Sequence, residues 1–410
     1  MRILLAHNYY QQKGGEGHSF AAEVDLLRSR GHDVTCYTIH NDAIDDMSAL
    51  QVARKTLWNR DVFDDLRAHI RRTAPQLIHF NNTFPLLAPS AYYAARDEGV
   101  PVVKTIRNYR PFCLNGVFFR DGHVCEDCLG TRMPWPGVRH ACYRDSYLGS
   151  TGAATWTMAH RLRDTWNKGV DTFIVCSRFA EKKLLEGGFP EDQIRYKPNF
   201  LDPVPPTGDG RGKFALFVGR LSPEKGLHTL VEAWTHIGDR MPLVIVGEGP
   251  LNDVAEWAQE HVPGVAWRGW QSPPDVYDLM GQAQMLVFPS EWYETFGRVA
   301  MEAFATGTPV IVSNIGGQAE RVEHNRTGRL FEAGDPADLA RQVEWALDHP
   351  AAWRQMRKEA RADFEKRYTA ARNYEMLMDI YDATLHRRDP RRGDARNPNS
   401  SAPPHGRQPV

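Results

Sequence analysis

The sequence lacks a long apolar run, an excess of charge of either sign, and a high cysteine content. Its 410 residues include only six cysteines, and its formal net charge is −1. Nucleic acid binding usually needs a marked basic excess, so that class of partner is disfavoured. No run approaches the roughly 20 apolar residues of a membrane span. Residues 1–7 turn polar too early for a signal peptide. We therefore expect a cytoplasmic protein.

Length and pattern predict two α/β domains. A chain of 410 residues is long for one hydrophobic core. Short apolar strands alternate with amphipathic stretches, which is typical of parallel sheets covered by helices, here facing a central cleft. We predict strands at 2–6, 33–37, 77–80, 102–105, 172–176, 214–218, 243–246, 265–268, 285–288 and 310–312.

The domain limits follow from composition. Residues 203–212 are rich in proline and glycine, as expected of a linker, and divide a domain at 1–202 from a second at 213–369. Helices are predicted at 336–347 and 370–386. Residues 387–410 have almost nothing to bury, which predicts a disordered tail.

An anion site is predicted around Glu294 and Glu302, which have seven residues between them and follow the apolar run 285–290. A helix beginning at Gly297, just beyond a strand, would point its free N–H groups into a crevice, which suits a phosphate. The two carboxylates fit such a site if they accept hydrogen bonds from sugar hydroxyls attached to that phosphate.

Arg220 and Lys225 would supply the countercharge. They follow another apolar run, with Ser222 as a good N-cap and Pro223 as a good first helical residue. Cations normally favour the other end of a helix, so their position here indicates a bound anion. The alternative is a pair of solvated surface charges.

These segments resemble glycosyltransferase family 4, a retaining family with the GT-B fold of two Rossmann-like domains. The matching stretches span most of the second half in the right order and are 218–226, 246–250, 269–270, 294–302, 307–310, 316–320 and 325–328.

The resemblance implies transfer of a hexosyl group from a nucleoside-diphosphate-sugar donor to an acceptor hydroxyl, with retention and without a catalytic metal. The acceptor would be a glycan, a glycolipid or a small-molecule glycoside. Arg220 and Lys225 would hold the diphosphate, Glu302 the ribose and Glu294 the sugar. The resemblance places further donor contacts at Gly15, Arg268, Phe296, Gly297, Arg298 and Val299. A plain flexible turn remains the alternative at Gly15. In relatives the last helix, here 370–386, crosses back to the first domain.

The first half resembles a branch with a cysteine-bearing loop but departs from it at two positions. A histidine is expected at Asn81 and another at Arg107. Arg107 cannot serve as a neutral base, although it can stabilise the leaving phosphate or bind an acidic acceptor. In the front-face mechanism usual for the family the diphosphate takes the acceptor proton, so no protein nucleophile is required. We expect Arg107 to act in catalysis with Arg220, Lys225 and Glu294.

Three alternatives come from other classes of protein. Arg107 could mark a catalytically weakened sugar-nucleotide-binding protein, or the same donor could undergo another GT-B reaction such as epimerisation. A nicotinamide oxidoreductase is disfavoured because the full Gly-x-Gly-x-x-Gly fingerprint is missing after residues 2–6 and at 247–250.

Acceptor-side candidates in the first half are Glu16, His18, Asn82, Asn108 and Tyr109.

Four cysteines fall within the loop at about 111–145. Cys125 and Cys128 form a CxxC pair, with Cys113 and Cys142 as plausible third and fourth ligands of a structural zinc. Reduced thiols are the equal alternative, and disulfides are disfavoured in the cytoplasm.

The segment 132–168 combines basic and aromatic residues. It has six arginines or lysines against two aspartates, together with Trp135, Trp156 and Trp166. Such a segment can rest on an anionic membrane surface, so peripheral contact at the inner membrane is an open alternative. Tryptophans that fill a core are the other interpretation.

Overall fold

Two six-stranded parallel sheets form the frame of the protein. A computed structural model describes residues 1–11 and 14–388. Of the tail predicted at 387–410, residues 389–410 therefore lie outside the described residues. The strands in chain order are β1 (Arg2–Tyr9), β2 (Asp33–His40), β3 (Leu77–Phe80), β4 (Val102–Ile106), β5 (Phe119–Arg120), β6 (His123–Val124), β7 (Thr172–Val175), β8 (Ile194–Tyr196), β9 (Gly212–Val218), β10 (Leu243–Val246), β11 (Val265–Trp267), β12 (Ala283–Phe288), β13 (Val310–Ser313) and β14 (Gly328–Phe331).

Helices connect these strands and cover both sheets. They are α1 (Gly15–Ser29), α2 (Ala49–Leu57), α3 (Arg60–Thr73), α4 (Ser90–Asp97), α5 (Trp135–Arg139), α6 (Tyr147–Leu162), α7 (Thr165–Gly169), α8 (Arg178–Glu186), α9 (Leu227–Ile237), α10 (Asn252–His261), α11 (Pro273–Gln282), α12 (Arg298–Ala305), α13 (Gly316–Ala319), α14 (Pro336–Asp348), α15 (Pro350–Arg367) and α16 (Ala370–Arg388).

The strand order creates a reversal point in each sheet. The first sheet runs β2-β1-β3-β4-β7-β8 and the second β11-β10-β9-β12-β13-β14. The order reverses between β1 and β3, and again between β9 and β12. Loops leaving the two central strands there diverge, which opens a crevice at the carboxyl ends of the strands. The predicted α/β architecture with parallel sheets is confirmed.

The strand prediction erred mainly at the sheet edges. It missed β8 and β14, and it also missed the small antiparallel hairpin of β5 and β6. It ended β1 and β2 too early, because their last residues are polar. Among the helices it did not include α15.

Side chains alternate between the two faces of each sheet, and helices bury both faces. In the first sheet Leu4 and Phe80 pack under α3 and α4, whereas Leu5 and Val103 pack under α1 and α16. In the second sheet, strand residues such as Phe217 pack under α9 and α14. The opposite face lies under α11, α12 and α15. Near-continuous apolar strands are what a sheet covered on both faces requires.

A buried polar network fastens α16 to the first sheet. Glu23 accepts from Lys197 at 3.1 Å and lies 3.0 Å from the Nδ1 of His79. Tyr381 of α16 is 2.8 Å from the same Nδ1, and Asn373 accepts from Lys197 at 3.0 Å. Burial raises the pKa of the Glu23 carboxyl, but Lys197 and His79 outweigh it, so the pKa falls below its usual value.

We expect Lys197→Met to destabilise the protein by about 3 kcal/mol, because it leaves a buried carboxylate without its cation. Lys182→Met is the matched control, since its side chain is exposed and it should change stability by less than about 0.5 kcal/mol. Urea unfolding at neutral pH measures both. Equal losses in the two variants would contradict this role for Lys197.

Candidate active site

The loop after β9 carries the predicted cations at the reversal point of the second sheet. Arg220 is exposed, and its side chain makes no hydrogen bond or ion pair within the described chain. Lys225 closes a single 3₁₀ turn that begins at Pro223, and Gly226 separates this turn from α9. Ser222 does not cap that turn, because its hydroxyl donates to Glu224 at 2.7 Å.

A close approach of two loops requires glycine at position 226. Gly226 separates the 3₁₀ turn from α9 and has a φ of +70°. A Cβ at this position would lie 2.0 Å from the backbone oxygen of Pro289, which follows β12. Because no side chain intervenes, the loop with Lys225 lies directly against the loop that leads to Glu294.

Glu294 gathers several donors from those two loops. Its Oε1 forms an ion pair with Lys225 and accepts from the indole of Trp292 at 3.0 Å and from Ser290 at 3.3 Å. The ammonium of Lys225 also lies 5.0 Å from the centre of the Trp292 ring. In this structure, therefore, Lys225 is neutralised by the carboxylate that was predicted to contact a sugar.

The start of α12 points at the same crevice. Gly297 precedes the helix with a φ of +79°, and a Cβ there would lie 2.9 Å from that of Gln318. The helix begins at Arg298, one residue later than predicted, and no side chain caps it. Its first N–H groups therefore stay available to an anion. Phe296 is buried, so only its backbone could take part.

Arg298 connects this helix to the first half of the chain. Its Nε donates to Glu302 at 2.7 Å, and its Nη1 donates to the hydroxyl of Ser19 in α1 at 3.0 Å. Gly15 lies beside it, since a Cβ there would be 3.6 Å from the Cδ of Arg298. The structure thus brings Gly15, Arg298 and Glu302 together.

Arg107 lies just beyond β4, at the carboxyl edge of the first sheet. Its Nε and Nη2 donate to the Oδ1 of Asn81 at 3.2 and 3.1 Å, and its Nη1 donates to Asn199 at 2.8 Å. Its backbone oxygen accepts from the hydroxyl of Thr295 at 3.3 Å. Because Thr295 follows Glu294 in the chain, Arg107 borders the crevice of the second sheet.

A positive field surrounds Arg107. Lys104 in β4 donates to the backbone oxygen of Asn81. Burial lowers the pKa of Lys104 to about 7; Glu16 opposes that shift and Arg107 adds to it. Burial, Arg107 and Lys104 together lower the pKa of His7 to about 3. Burial raises the pKa of Glu16 against the effect of these two cations.

Two predicted acceptor residues have structural roles instead. Asn82 uses its side chain to hold its loop against β1, donating to the backbone oxygen of Asn8 at 2.7 Å and accepting from the backbone N–H of Phe84 at 3.1 Å. Tyr109 is fully buried and packs against Phe118, so its side chain does not line an open cleft. Both corrections have the same cause, since a motif places a residue near a strand end but does not give the direction of its side chain.

The other predicted site residues differ in their surroundings. Asn108 accepts from the backbone N–H of Arg110 at 3.2 Å. His18 and Arg268 have exposed side chains, and Val299 is partly buried against the apolar layer under α12.

Sequence reasoning missed Lys104, Trp292 and Asn199 as members of the site. Of these three, only Lys104 could have been found from the sequence, because a lysine is rarely buried and this one lies within the apolar strand 102–106.

The predicted zinc ligands meet around one small cavity but do not form a metal site. Cys113, Cys125, Cys128 and Cys142 all line it. Within the described residues, however, no three or more His, Cys, Asp or Glu side chains are arranged to hold a metal ion. Cys113 donates to Asn115 at 2.8 Å, and burial raises the pKa of Cys128 to about 11. The arrangement fits protonated thiols, and the structure does not support the zinc prediction.

Comparison with known proteins identifies the family. Residues 14–204 match the family model "Glycosyltransferase Family 4", and residues 205–363 match "Glycosyl transferases group 1". A glycogen synthase of Mycobacterium tuberculosis is 30% identical over 384 residues, covering 88% of this chain and 89% of the relative. The chain belongs to glycosyltransferase family 4.

Solved structures of other glycosyltransferases share the fold of this family member. Sucrose-phosphate synthase from Thermosynechococcus elongatus superposes with a TM-score of 0.71 at 18% identity, covering 94% of this chain and 100% of that one. Anabaena HepE in complex with UDP superposes with a TM-score of 0.66 at 17% identity, over 93% of this chain and 100% of that one. The protein therefore has the GT-B fold of the glycosyltransferases.

We expect six free thiols and no stoichiometric zinc in the purified protein, because the cysteine cluster lacks a metal-holding arrangement. Thiol titration after unfolding and elemental mass spectrometry measure the two quantities on one sample. About one zinc per chain, lost together with the native fold on chelation, would contradict this expectation.

Proposed function

We propose that this family member is a retaining hexosyltransferase that uses a nucleoside-diphosphate-sugar donor. One arrangement supports the proposal: the ion pairs of Lys225 with Glu294 and of Arg298 with Glu302 lie beside the uncapped start of α12, and Arg220 is in the loop that follows β9. We assign the donor to the domain at 213–369 and the acceptor to the domain at 1–202. The names of relatives support this donor class, since one in Corynebacterium glutamicum is a GDP-mannose-dependent alpha-mannosyltransferase, 23% identical over 367 residues.

Donor binding would rearrange the ion pair at the centre of the site. The free guanidinium of Arg220 can take two phosphate oxygens at once. The same phosphates would compete with Glu294 for Lys225. Once released, Glu294 could accept hydrogen bonds from the hydroxyls of the sugar. Glu302, which accepts from Arg298, would bind the ribose.

In the proposed reaction the acceptor oxygen attacks the anomeric carbon from the face that the diphosphate leaves. The bond from that carbon to the diphosphate oxygen breaks as the new glycosidic bond forms. The acceptor proton passes to the departing diphosphate. The protein contributes positioning and stabilisation of the negative charge that develops on the leaving group, and Glu294 forms no covalent intermediate.

We expect Arg220→Ala to weaken donor binding roughly 10- to 100-fold, because it removes a charge-assisted contact with phosphate. Arg211→Ala is the matched control, since Arg211 is an exposed arginine at the opposite end of the same strand β9. Calorimetry with UDP-glucose and with GDP-mannose measures the affinity. An unchanged affinity in Arg220→Ala for whichever donor binds would overturn the proposed site.

We expect Glu294→Gln to lower release of nucleoside diphosphate on the order of 100-fold, because the amide cannot replace the carboxylate that orders Lys225 and the sugar. Donor turnover is followed by coupled detection of the diphosphate. Donor binding without turnover with any acceptor supports a sugar-nucleotide-binding protein instead, and recovery of an epimerised donor supports an epimerase.

We further propose that the protein is cytoplasmic and touches the inner membrane through α5 and α6. None of the helices in the described range has the length and apolarity to cross a bilayer. Leu148 and Leu162 of α6 are 88% and 77% exposed, and Trp135 of α5 is 61% exposed. Exposed arginines occur in the same segment at positions 132, 139, 144 and 163. A segment that exposes both apolar and basic side chains fits an anionic lipid surface.

We expect the protein to sediment with vesicles that contain phosphatidylglycerol, and much less with pure phosphatidylcholine. Replacing Trp135 and Leu148 together by serine should weaken the association roughly tenfold or more, because both side chains would insert into lipid. Trp257→Ser is the control, since Trp257 is exposed on the other half. Equal binding by the double variant and the control would contradict this membrane surface.

A further inference from the structure

Positively charged side chains lie at the reversal point of the first sheet, and the proposed mode of donor binding does not involve them. Lys104 lies in β4, and Arg107 and Arg110 follow it within six residues. None of the three forms an ion pair with a carboxylate of residues 1–11 or 14–388. Glu16 at the start of α1 is close enough to feel all three charges. We call Glu16, Lys104, Arg107 and Arg110, together with Asn81, the first-sheet cluster.

Buried polar atoms of this cluster lack partners. The Nδ2 of Asn81, the Oε2 of Glu16 and the Nε of Arg110 are inaccessible to solvent and make no hydrogen bond within the described part of the protein. The Asn81 side chain is fully buried. A buried unsatisfied polar atom costs roughly 1–3 kcal/mol, which favours a ligand that supplies the missing partners. The two donors, the Nδ2 of Asn81 and the Nε of Arg110, need an acceptor such as an anionic oxygen, whereas the Oε2 of Glu16 needs a donor such as a saccharide hydroxyl.

The guanidinium of Arg107 is oriented before any ligand arrives. Two asparagines from different loops, Asn81 and Asn199, hold it through three of its nitrogens. These partners are neutral, and no carboxylate of residues 1–11 or 14–388 forms a direct ion pair with it. An arginine held in this way is suited to a carboxylate or phosphate, because little side-chain entropy is lost on binding.

We propose that the first-sheet cluster binds an anionic group, a carboxylate or a phosphate, on the saccharide acceptor, with Arg107 as the residue that selects for this charge. The proposal deepens the proposed transfer function and rests on it. The cluster belongs to the first sheet, whereas Arg220 and Lys225 belong to the second, so the two substrates would bring their charges to opposite edges of the cleft. The transferred sugar is the other possible source of the same anion.

The first test compares charged and neutral acceptors by saturation-transfer NMR on the full chain in the presence of UDP. Glucuronic acid and glucose 6-phosphate should bind at least tenfold more tightly than glucose. Arg107→Gln should remove this preference, and Arg107→Lys should restore part of it. Arg96→Gln, an exposed arginine of α4 in the same half, should leave it intact. Equal binding of charged and neutral saccharides by the unmodified protein overturns the proposal.

The second test distinguishes acceptor from donor. Calorimetry compares UDP-glucuronic acid with UDP-glucose in the unmodified protein and in Arg107→Gln. We expect the ratio of the two affinities to be the same in both proteins. If Arg107→Gln instead removes a preference for the acidic donor and leaves the acceptors unaffected, the acceptor assignment is wrong. Both tests measure binding. If the protein still selects anionic saccharides but shows no turnover, the transfer function is refuted and the proposed anion site is not.

The pH dependence tests whether the charge of Lys104, next to Arg107, contributes to anion binding. Lys104 faces Glu16 of α1, His7 of β1 and Arg107, and its pKa is about 7. As the pH rises through about 7, Lys104 loses its proton, while His7 is already neutral and Arg107 stays charged. Affinity for glucuronic acid should therefore fall roughly tenfold from pH 6 to pH 8.5, and Lys104→Gln should flatten the profile. A flat profile in the unmodified protein contradicts the role of Lys104.

Discussion

Parallel hydrogen-bonded pairing of strands is the constraint on which the whole site depends. In a parallel sheet all strands end at one edge, so residues distant in sequence leave the sheet side by side. The reversal in strand order then separates two neighbouring loops and opens a crevice. Both sheets have such a reversal. The loops of Arg220 and Glu294 meet at one crevice, and at the other the end of β1, which carries His7, meets the loop of Asn81.

The cations at these two edges have different kinds of partner. At the second sheet Lys225 and Arg298 have carboxylate partners, Glu294 and Glu302, whereas Arg220 forms no ion pair with a described residue. At the first sheet Arg107 is held by neutral amides instead. A cation that is paired with a carboxylate can exchange it for a phosphate at little cost in desolvation. A cation without a carboxylate partner is instead already in place to bind an anion. The difference sets which edge changes on binding and which is preorganised.

Much of this fold could be predicted because buried parallel strands are continuous apolar runs. The bounds of β3 and β10 match the predicted ones for that reason. The edge strands β8 and β14 were missed, since each is short and contains an arginine, and only pairing with a neighbour makes it a strand. Local pattern also located the crevice residues but not their partners. No residue near Lys225 in the sequence indicates that Glu294 is its partner. In the same way, the spacing of the cysteines does not determine the positions of their sulfur atoms.

The return of α16 to the first sheet makes the halves of this enzyme interdependent. Leu377, Ile380 and Tyr381 cover apolar residues of strands that were synthesised some 300 positions earlier. A ribosome therefore releases the first half with part of one face of its sheet uncovered, because α1 covers only the rest, and that part is buried once α16 has been made. Any exchange of halves between relatives, in evolution or in the laboratory, has to carry the carboxyl-terminal helix along with the amino-terminal half.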